Sequence, residues 1–186
     1  LLTPFRPLPP GGSLAYDTDT NAFVTPSGDT DTWTFVVDPG QHLSFAVVSD
    51  SNLQARAKLT APNSNVLTDV TANGTGCAAV AQSVAIPLGG VHRIAVDGAA
   101  GTTGGYSLRV LFNGAFELEP FGTGSNNTAG TAENINGIIM PLGQTGGEAT
   151  TIRGSLPPGD TNDWFVFSLA NGQPLSLALA STGTVA

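Results

Sequence analysis

The sequence is poor in the residue types that mark several large classes of protein. Lysine and arginine together number 6, against 14 aspartate and glutamate residues, so the net charge is −8 over 186 residues. The few cations are scattered along the chain, whereas a surface that binds nucleic acid or an anionic membrane needs them clustered. We therefore expect neither of these as a partner.

Cysteine is almost absent as well. Cys77 is the single one, so no disulfide can form within the chain, and a secreted protein of this kind depends on packing or on a metal for stability. We interpret Cys77 as a small buried apolar residue, with a reactive or intermolecular thiol as the alternative. No apolar run approaches the ~20 residues that span a bilayer, so no membrane insertion is expected. The chain begins without methionine or a signal peptide, as expected of a processed or truncated product.

Many short apolar runs are present instead, divided by glycine, proline, asparagine, aspartate and serine. Glycine and proline number 24 and 13, but 40% of the residues are hydrophobic, which argues against disorder. Alternating apolar residues predict strands within residues 53–59, 66–70, 80–86, 91–96 and 106–112. The predicted fold class is therefore all-β, and the number of strands fits an antiparallel β-sandwich.

One part of this pattern occurs twice. Residues 28–48 (GDTDTWTFVVDPGQHLSFAVV) match residues 159–180 (GDTNDWFVFSLANGQPLSLALA), with Trp33 aligned to Trp164. Each copy contains a polar loop, an alternating strand, a glycine-containing turn and a second alternating strand. We interpret each copy as a β-hairpin.

The repeat suggests how the chain is organised. Residues 1–12 hold four prolines and predict an extended arm, which is either a mobile linker or an arm along a neighbour's sheet edge. Residues 13–114 predict a complete sandwich, residues 115–134 a linker, and residues 135–186 a partial second sandwich, so the predicted fold is two tandem jelly-roll-like domains.

The second copy of the repeat has no counterpart of residues 53–112 after it. Its apolar face and strand edges would therefore be exposed. Either the chain has been cut, which is the default, or another chain supplies the missing strands head to tail.

Acidic residues gather in the polar segments before these strands. Asp17, Asp19 and Asn21 alternate, but the later glycine and bidentate glutamate of an EF-hand are missing, so that motif is rejected. We favour solvated turn residues for Asp17 and Asp19. For Asp29 and Asp31, turn residues and ligands of Ca²⁺ stay equally open.

The repeated G-D-x-D/N-x-W segment is followed by G-Q-x-L-S in both copies, and residues 91–98 (VHRIAVDG) and 104–110 (GGYSLRV) add two further motifs. Together these motifs resemble the bacterial pre-peptidase C-terminal domain family. Residues 117–120 (ELEP) are similar to the family's opening E-x-E-P-N, with the asparagine displaced by an insertion. The resemblance covers residues 13–112 and, in part, 117–180. It implies a jelly-roll-like sandwich outside the cell, beside a secreted peptidase or in tandem on surface proteins.

Some members of this family bind Ca²⁺ through the opening glutamates and the aspartate loop. The resemblance therefore implies a Ca²⁺ cofactor and five candidate ligands in the second unit: Glu117, Glu119, Asn127, Asp160 and Asp163. In the first unit only Asp29 and Asp31 match, and no Glu-x-Glu-Pro precedes them, which weakens the assignment there.

Catalytic motifs are missing from the sequence. His42 and His92 have no partner at metal-binding spacing, and there is no nucleophile elbow, phosphate loop or dinucleotide fingerprint. We therefore do not expect an enzyme. Trp33 and Trp164 are interpreted as core residues rather than as carbohydrate-stacking platforms.

These observations predict a non-catalytic extracellular protein with a structural or adhesive role in a surface layer, fibre or multidomain array. A more specific form of this prediction is that strand complementation joins the subunits. The predicted partners are further copies of the chain or neighbouring domains of a longer chain. An accessory module of a secreted peptidase is the alternative, and a carbohydrate-binding module a further one. Asn73 and Asn126 each begin an N-glycosylation sequon.

Overall fold

The computed structural model describes residues 1–122, 124–142 and 146–181. Its regular structure there is β-strand with short 3₁₀ turns, so the predicted all-β class is confirmed. None of those turns has the length or apolar content needed to cross a bilayer. The strands are β1 (Arg6–Pro7), β2 (Tyr16–Val24), β3 (Thr30–Val37), β4 (His42–Ser49), β5 (Ala55–Thr60), β6 (Val66–Thr71), β7 (Ala78–Ala85), β8 (Gly90–Gly98), β9 (Gly104–Phe112), β10 (Ala115–Phe116), β11 (Glu133–Asn134), β12 (Met140–Pro141), β13 (Glu148–Ala149), β14 (Ile152–Arg153) and β15 (Phe165–Val166).

The first nine strands form a sandwich of two antiparallel sheets. One sheet has the order β1-β2-β9-β4-β7 and the other the order β3-β8-β5-β6. Successive side chains of a strand point to opposite faces, and β5 shows the result: Ala55, Ala57 and Leu59 are fully buried, whereas Arg56 between them is exposed. The apolar faces of the two sheets therefore meet in a common core.

Aromatic and branched side chains fill this core. Phe35 on β3 and Phe45 and Leu108 on the opposite sheet have no exposed surface, and the ring centroids of Phe35 and Phe112 lie 5.9 Å apart. Burial of each such side chain stabilises the fold by about 1.5–3 kcal/mol.

The two strands of the first repeat copy do not form a hairpin, and that prediction is wrong. β3 pairs with β8 in one sheet, whereas β4 pairs with β7 and β9 in the other. Both strands direct their apolar side chains into the core, so the turn between them carries the chain from one sheet across to the facing one. The strands and the turn themselves are where the alternation predicts them.

The turn has the same hydrogen bond in both copies of the repeat. Gln41 Oε1 accepts from the Asp38 N–H at 2.9 Å, and Gln173 Oε1 accepts from the Ala170 N–H at 3.0 Å. The glycine before each glutamine has a φ of 84° or 81°, a left-handed conformation that glycine adopts without strain. The repeated sequence therefore encodes the same local structure twice.

Residues 1–12, predicted as an extended arm, lie against the chain's own sandwich. The Leu2 N–H donates to the Thr34 carbonyl at 2.8 Å, and Leu2 is buried. The Phe5 ring lies 4.4 Å from the Phe112 ring, and β1 pairs with β2. The predicted domain boundaries at residues 13, 115 and 135 stay predictions.

The second unit, from β10 onward, contains short strand pairs only: β10 with β14, β11 with β15, and β12 with β13. Residues 174–181, which match β4, form no strand, and Leu177 and Leu179 are 81% and 102% exposed. A groove of about 340 Å³ beside them is lined by Ile135, Ile139 and Phe167. The apolar face predicted to lack partner strands is therefore open among the residues that the structure describes.

The two units contact each other through a second apolar cluster. Phe116 of β10 packs with Ala46 and Leu111 on the outer face of the five-stranded sheet, and Phe121 packs against this group. The Gln82 amide donates to the Phe116 carbonyl and accepts from its N–H. We call this region the junction.

Cys77 does not have the buried position predicted for it. Its side chain is exposed in the loop between β6 and β7, where a turn at Gly76 (φ 74°) reverses the chain. Apolar neighbours in the sequence indicated burial, but Cys77 belongs to the turn rather than to a strand, so its side chain does not point into the core.

Candidate metal centre at the junction

The junction positions Glu117 by strand pairing. β10 runs parallel to β14, and the Glu117 N–H donates to the Arg153 carbonyl at 3.0 Å. The Glu117 side chain passes over Gly154, where a Cβ atom would lie 2.5 Å from Glu117 Oε2. Glycine at this position therefore leaves the space that the carboxylate occupies.

Glu119 and Asp163 converge on this carboxylate. Oxygen atoms of Glu117, Glu119 and Asp163 all lie within 4.8 Å of one another. Glu117 is only 1% exposed, and its Oε2 accepts from the Ser155 N–H at 3.0 Å. Glu117 Oε1 and Asp163 Oδ1 are buried and have no hydrogen-bond partner among the described residues.

Asn127 and Asp160 complete the group, which we call the oxygen cluster (Glu117, Glu119, Asn127, Asp160 and Asp163). With its amide nitrogen toward them, Asn127 donates to Glu119 Oε2 at 3.2 Å, Asp160 Oδ1 at 2.9 Å and the Asn162 carbonyl at 3.0 Å. A 180° rotation of the Asn127 side-chain amide would instead place its oxygen next to Glu119 Oε2, Asp160 Oδ1 and the Asn162 carbonyl. The structure thus brings together all five residues that the resemblance named as candidate ligands in the second unit.

The carboxylates perturb one another electrostatically. Burial, followed by a hydrogen bond to Glu117 and the charges of Glu117, Asp160 and Glu119, raises the pKa of Asp163 to about 7. Burial also raises the pKa of Glu133, whose Oε2 accepts from the Leu118 N–H at 3.1 Å. A cation among these oxygens would offset the repulsion and favour the ionised form of Asp163.

The donor set fits Ca²⁺. All donors are carboxylate, amide or carbonyl oxygens, and the cluster has no histidine or cysteine. Ca²⁺ takes six to eight such oxygens at about 2.3–2.6 Å, whereas zinc sites use nitrogen and sulfur ligands. Mutual separations of up to 4.8 Å are compatible with oxygens on opposite sides of one such ion.

Asp29 and Asp31 in the first unit are not part of the oxygen cluster. Asp29 accepts from the N–H groups of Thr25 and Thr30 at 3.1 and 2.9 Å. Asp31 accepts from the Tyr106 hydroxyl at 2.8 Å, and that hydroxyl accepts from Trp33 Nε1 at 2.9 Å. Both carboxylates thus serve as local hydrogen-bond acceptors, and a role for them in Ca²⁺ binding stays a prediction.

Asp17 and Asp19 are not the turn residues that the sequence predicted. They lie on β2, and Asp17 is buried, paired with Arg6 at 3.2 Å and with Arg153 of the second unit. Asp19 pairs with Arg6 as well. The prediction was wrong because their counter-charges come from positions distant in sequence.

The two predicted sequons lie in different environments. Asn73 is exposed in the loop before β7, and its glycosylation stays a prediction. Asn126 is 3% exposed, its amide atoms are buried, and its carbonyl accepts from the Trp164 N–H at 2.8 Å. A glycan on Asn126 would require this side chain to leave its buried position, and glycosylation there stays a prediction.

The remaining candidate side chains do not assemble with one another. His42 Nδ1 lies 3.0 Å from Ser83 Oγ, and His92 is buried in the sandwich with Nδ1 3.1 Å from the Gly90 carbonyl. Trp33 packs against the core, whereas Trp164 is 48% exposed in the open second unit. Sequence reasoning missed Glu133, which folding brings to the Leu118 N–H, and the Asn162 carbonyl, because a backbone oxygen leaves no sequence signal.

Comparison with known proteins gives structural likeness alone. No protein-family model matches the chain, and no curated protein sequence matches it. The pre-peptidase C-terminal domain of a collagenase from Bacillus anthracis is 22% identical, with a TM-score of 0.43 over 50% of this chain and 88% of that one. The periplasmic inhibitor of g-type lysozyme from Aeromonas hydrophila, PliG, is 22% identical, with a TM-score of 0.42 over 53% and 88%. A structure of the Gt strain of infectious bursal disease virus is 16% identical, with a TM-score of 0.26 over 59% of this chain and 38% of that one. These values do not assign a family, so membership of the pre-peptidase C-terminal family stays a prediction.

Proposed function

We propose that this is a non-catalytic extracellular structural protein in which Ca²⁺ stiffens the second unit beside the junction by joining its opening segment to its repeat loop. The observation that carries the proposal is the oxygen cluster at the junction. Glu117 and Glu119 follow β10 in the opening segment of the second unit, whereas Asp160 and Asp163 belong to its repeat loop. An ion bound by both groups ties the opening segment to the loop.

The unpartnered oxygens support a cation rather than a solvated acidic loop. Glu117 Oε1 and Asp163 Oδ1 are buried and accept no hydrogen bond from the described residues. Above about pH 7, where Asp163 loses its proton, each such group costs ~1–3 kcal/mol unless something pairs with it. Exposed aspartates in a turn carry no such penalty. A divalent ion removes the penalty and the mutual repulsion together.

Calorimetric titration of Ca²⁺ into chelator-treated protein tests the proposal. We expect one saturable site per chain and a higher melting temperature in millimolar Ca²⁺ than in chelator. Mg²⁺, which demands a smaller octahedral site, serves as the matched ion. Identical melting curves in Ca²⁺ and in chelator would contradict the proposal.

The structural role includes a second element, which is strand complementation of the second unit by a neighbouring subunit. Its support is the open apolar face with Leu177 and Leu179, taken with the first sandwich, where β8 lies beside β3 and β9 beside β4. An added strand beside residues 174–181, which match β4, would occupy the place that β9 has in the first unit.

Light scattering over a concentration series tests this second element. Leu177→Glu should abolish self-association, whereas Val36→Glu, at an exposed apolar position of the first sandwich, should leave it unchanged. A wild-type protein that stays monomeric at every concentration, with no filaments by electron microscopy, would rule it out.

A further inference from the structure

A cleft of about 250 Å³ lies beside the junction, on the outer side of β9. Two arginines line it, Arg109 from the first sandwich and Arg153 from the second unit. Its apolar wall consists of Phe116, Pro120 and Phe121, and the two phenylalanine rings meet edge to face at 5.9 Å. Neither unit alone forms this cleft.

Arg109 has no counter-ion within the described parts of the chain. Its cross-strand neighbour on β2 is Asp19, but the Asp19 carboxylate is paired with Arg6. Arg109 makes no salt bridge to any other carboxylate in the described ranges. In a chain with a net charge of −8, an unpaired guanidinium beside aromatic rings indicates a place for an external anion.

Arg153 provides a second cation in the lining of the cleft. One of its terminal nitrogens contacts Asp17, and a guanidinium has further N–H donors in the same plane. Glu117 also lines the cleft, but its Oε2 accepts from the Ser155 N–H and it is 1% exposed. The accessible charge at the mouth is therefore the positive charge of Arg109.

We propose that this cleft binds a carboxylate attached to an apolar group, as at the C terminus of a polypeptide that ends in an apolar residue. The guanidinium of Arg109 receives the carboxylate in a two-point hydrogen-bonded contact. Pro120 and Phe121, which are exposed and half-buried, receive the apolar group, and the buried Phe116 ring lies behind Phe121. Other small-ligand sites likewise combine a largely apolar wall with a few polar groups.

The test titrates N-acetyl-L-phenylalanine into the protein and follows binding by ligand-observed NMR. The matched control is N-acetyl-L-phenylalaninamide, which keeps the ring and loses the charge. We expect saturable binding of the acid, and binding of the amide weaker by about tenfold or more, since a hydrogen bond to a charged group is lost. Equal binding of acid and amide, or no saturable binding of the acid, would overturn the proposal.

Two variants locate the site. Arg109→Gln should weaken binding of the acid about tenfold, whereas Arg93→Gln, which makes the same charge change on the other sheet, should leave it unchanged. If sodium sulfate displaces the acid as well as unlabelled N-acetyl-L-phenylalanine does, the apolar wall has no part in recognition and the proposal fails. Glu117 belongs both to the cleft lining and to the oxygen cluster, so the acid is titrated in Ca²⁺ and in chelator. Binding of the acid that Arg109→Gln weakens in both conditions supports the cleft whether or not the metal centre binds Ca²⁺.

Discussion

Replacing Asp163 by asparagine should change the stability of the protein in opposite directions with and without Ca²⁺. The substitution removes one negative charge from the oxygen cluster and keeps the size of the side chain. Without an ion, burial and the charges of Glu117, Asp160 and Glu119 raise the pKa of Asp163 from the usual 3.8 to about 7. The folded protein then keeps a proton that the unfolded chain has already released.

The sign of the pH dependence follows from this difference. Between about pH 4 and pH 7 the folded state binds more protons than the unfolded state, so the free energy of unfolding decreases as the pH rises through that range. Above pH 7 the penalty of the ionised carboxylate is complete. In chelator, the ionisation of Asp163 should therefore make the wild-type protein less stable at pH 8 than at pH 5.

The magnitude is modest because solvent reaches part of the loop. One pKa unit corresponds to about 1.4 kcal/mol, and after discounting for solvent screening we expect Asp163→Asn to stabilise the ion-free protein by ~1–2 kcal/mol at pH 8. That free energy raises the melting temperature by a few degrees in a chain of this size. In Ca²⁺ the same variant loses a charged ligand, and a tenfold weaker affinity lowers stability by about 1.4 kcal/mol.

Scanning calorimetry at pH 8, in chelator and in millimolar Ca²⁺, measures both effects. Asp38→Asn serves as the control, since Asp38 is exposed, and its substitution should change neither curve by more than about 0.5 kcal/mol. An Asp163→Asn protein that is destabilised equally in both conditions would refute the electrostatic argument.

Two further predictions concern packing, both measured by urea denaturation. Phe116→Ala should lower the free energy of unfolding by ~3–5 kcal/mol, because Phe116 is 3% exposed and fills the junction. Phe23→Ala, at a side chain that is 68% exposed, should lower it by less than about 0.5 kcal/mol. Similar losses in the two variants would show that the junction does not pack. Leu59→Ala in the sandwich core should lower the free energy of unfolding by ~2–5 kcal/mol. Leu177→Ala should leave it almost unchanged if the second unit is open in solution. A large decrease for Leu177→Ala would mean that the apolar face of the second unit is covered.

The sequence carries enough information to locate the strands of the first sandwich. Residues such as Ala55, Ala57 and Leu59 alternate with polar neighbours because one face of β5 is buried. Alternation does not say which strand lies beside which, however. It is equally compatible with a hairpin and with two strands on facing sheets, and for β3 and β4 the sheet assignment depends on β8 and β9, distant in sequence.

Charge pairing was harder to predict than strand position. Asp17 is buried only because Arg6 and Arg153 approach it from two other parts of the chain. No local pattern indicates such a pair, so a polar turn was the natural interpretation. The burial of Asn126 and the exposure of Cys77 depend in the same way on how loops pack.

The oxygen cluster could be predicted only through the resemblance to a known family. Glu117 and Asp163 are 46 positions apart by the numbering of the sequence, and no spacing rule links them. The structure adds the Asn162 carbonyl, which is invisible to sequence patterns because any residue supplies a backbone oxygen.

Terbium luminescence tests the central claim most directly. Tb³⁺ binds oxygen sites that take Ca²⁺, and an indole close to the ion sensitises its emission; Trp164 is adjacent to Asp163 in the chain. We predict emission excited through tryptophan that Ca²⁺ abolishes by competition, that Trp164→Phe removes, and that Trp33→Phe leaves intact. Emission that depends on Trp33 instead, or that Ca²⁺ does not displace, would contradict a metal centre at the junction.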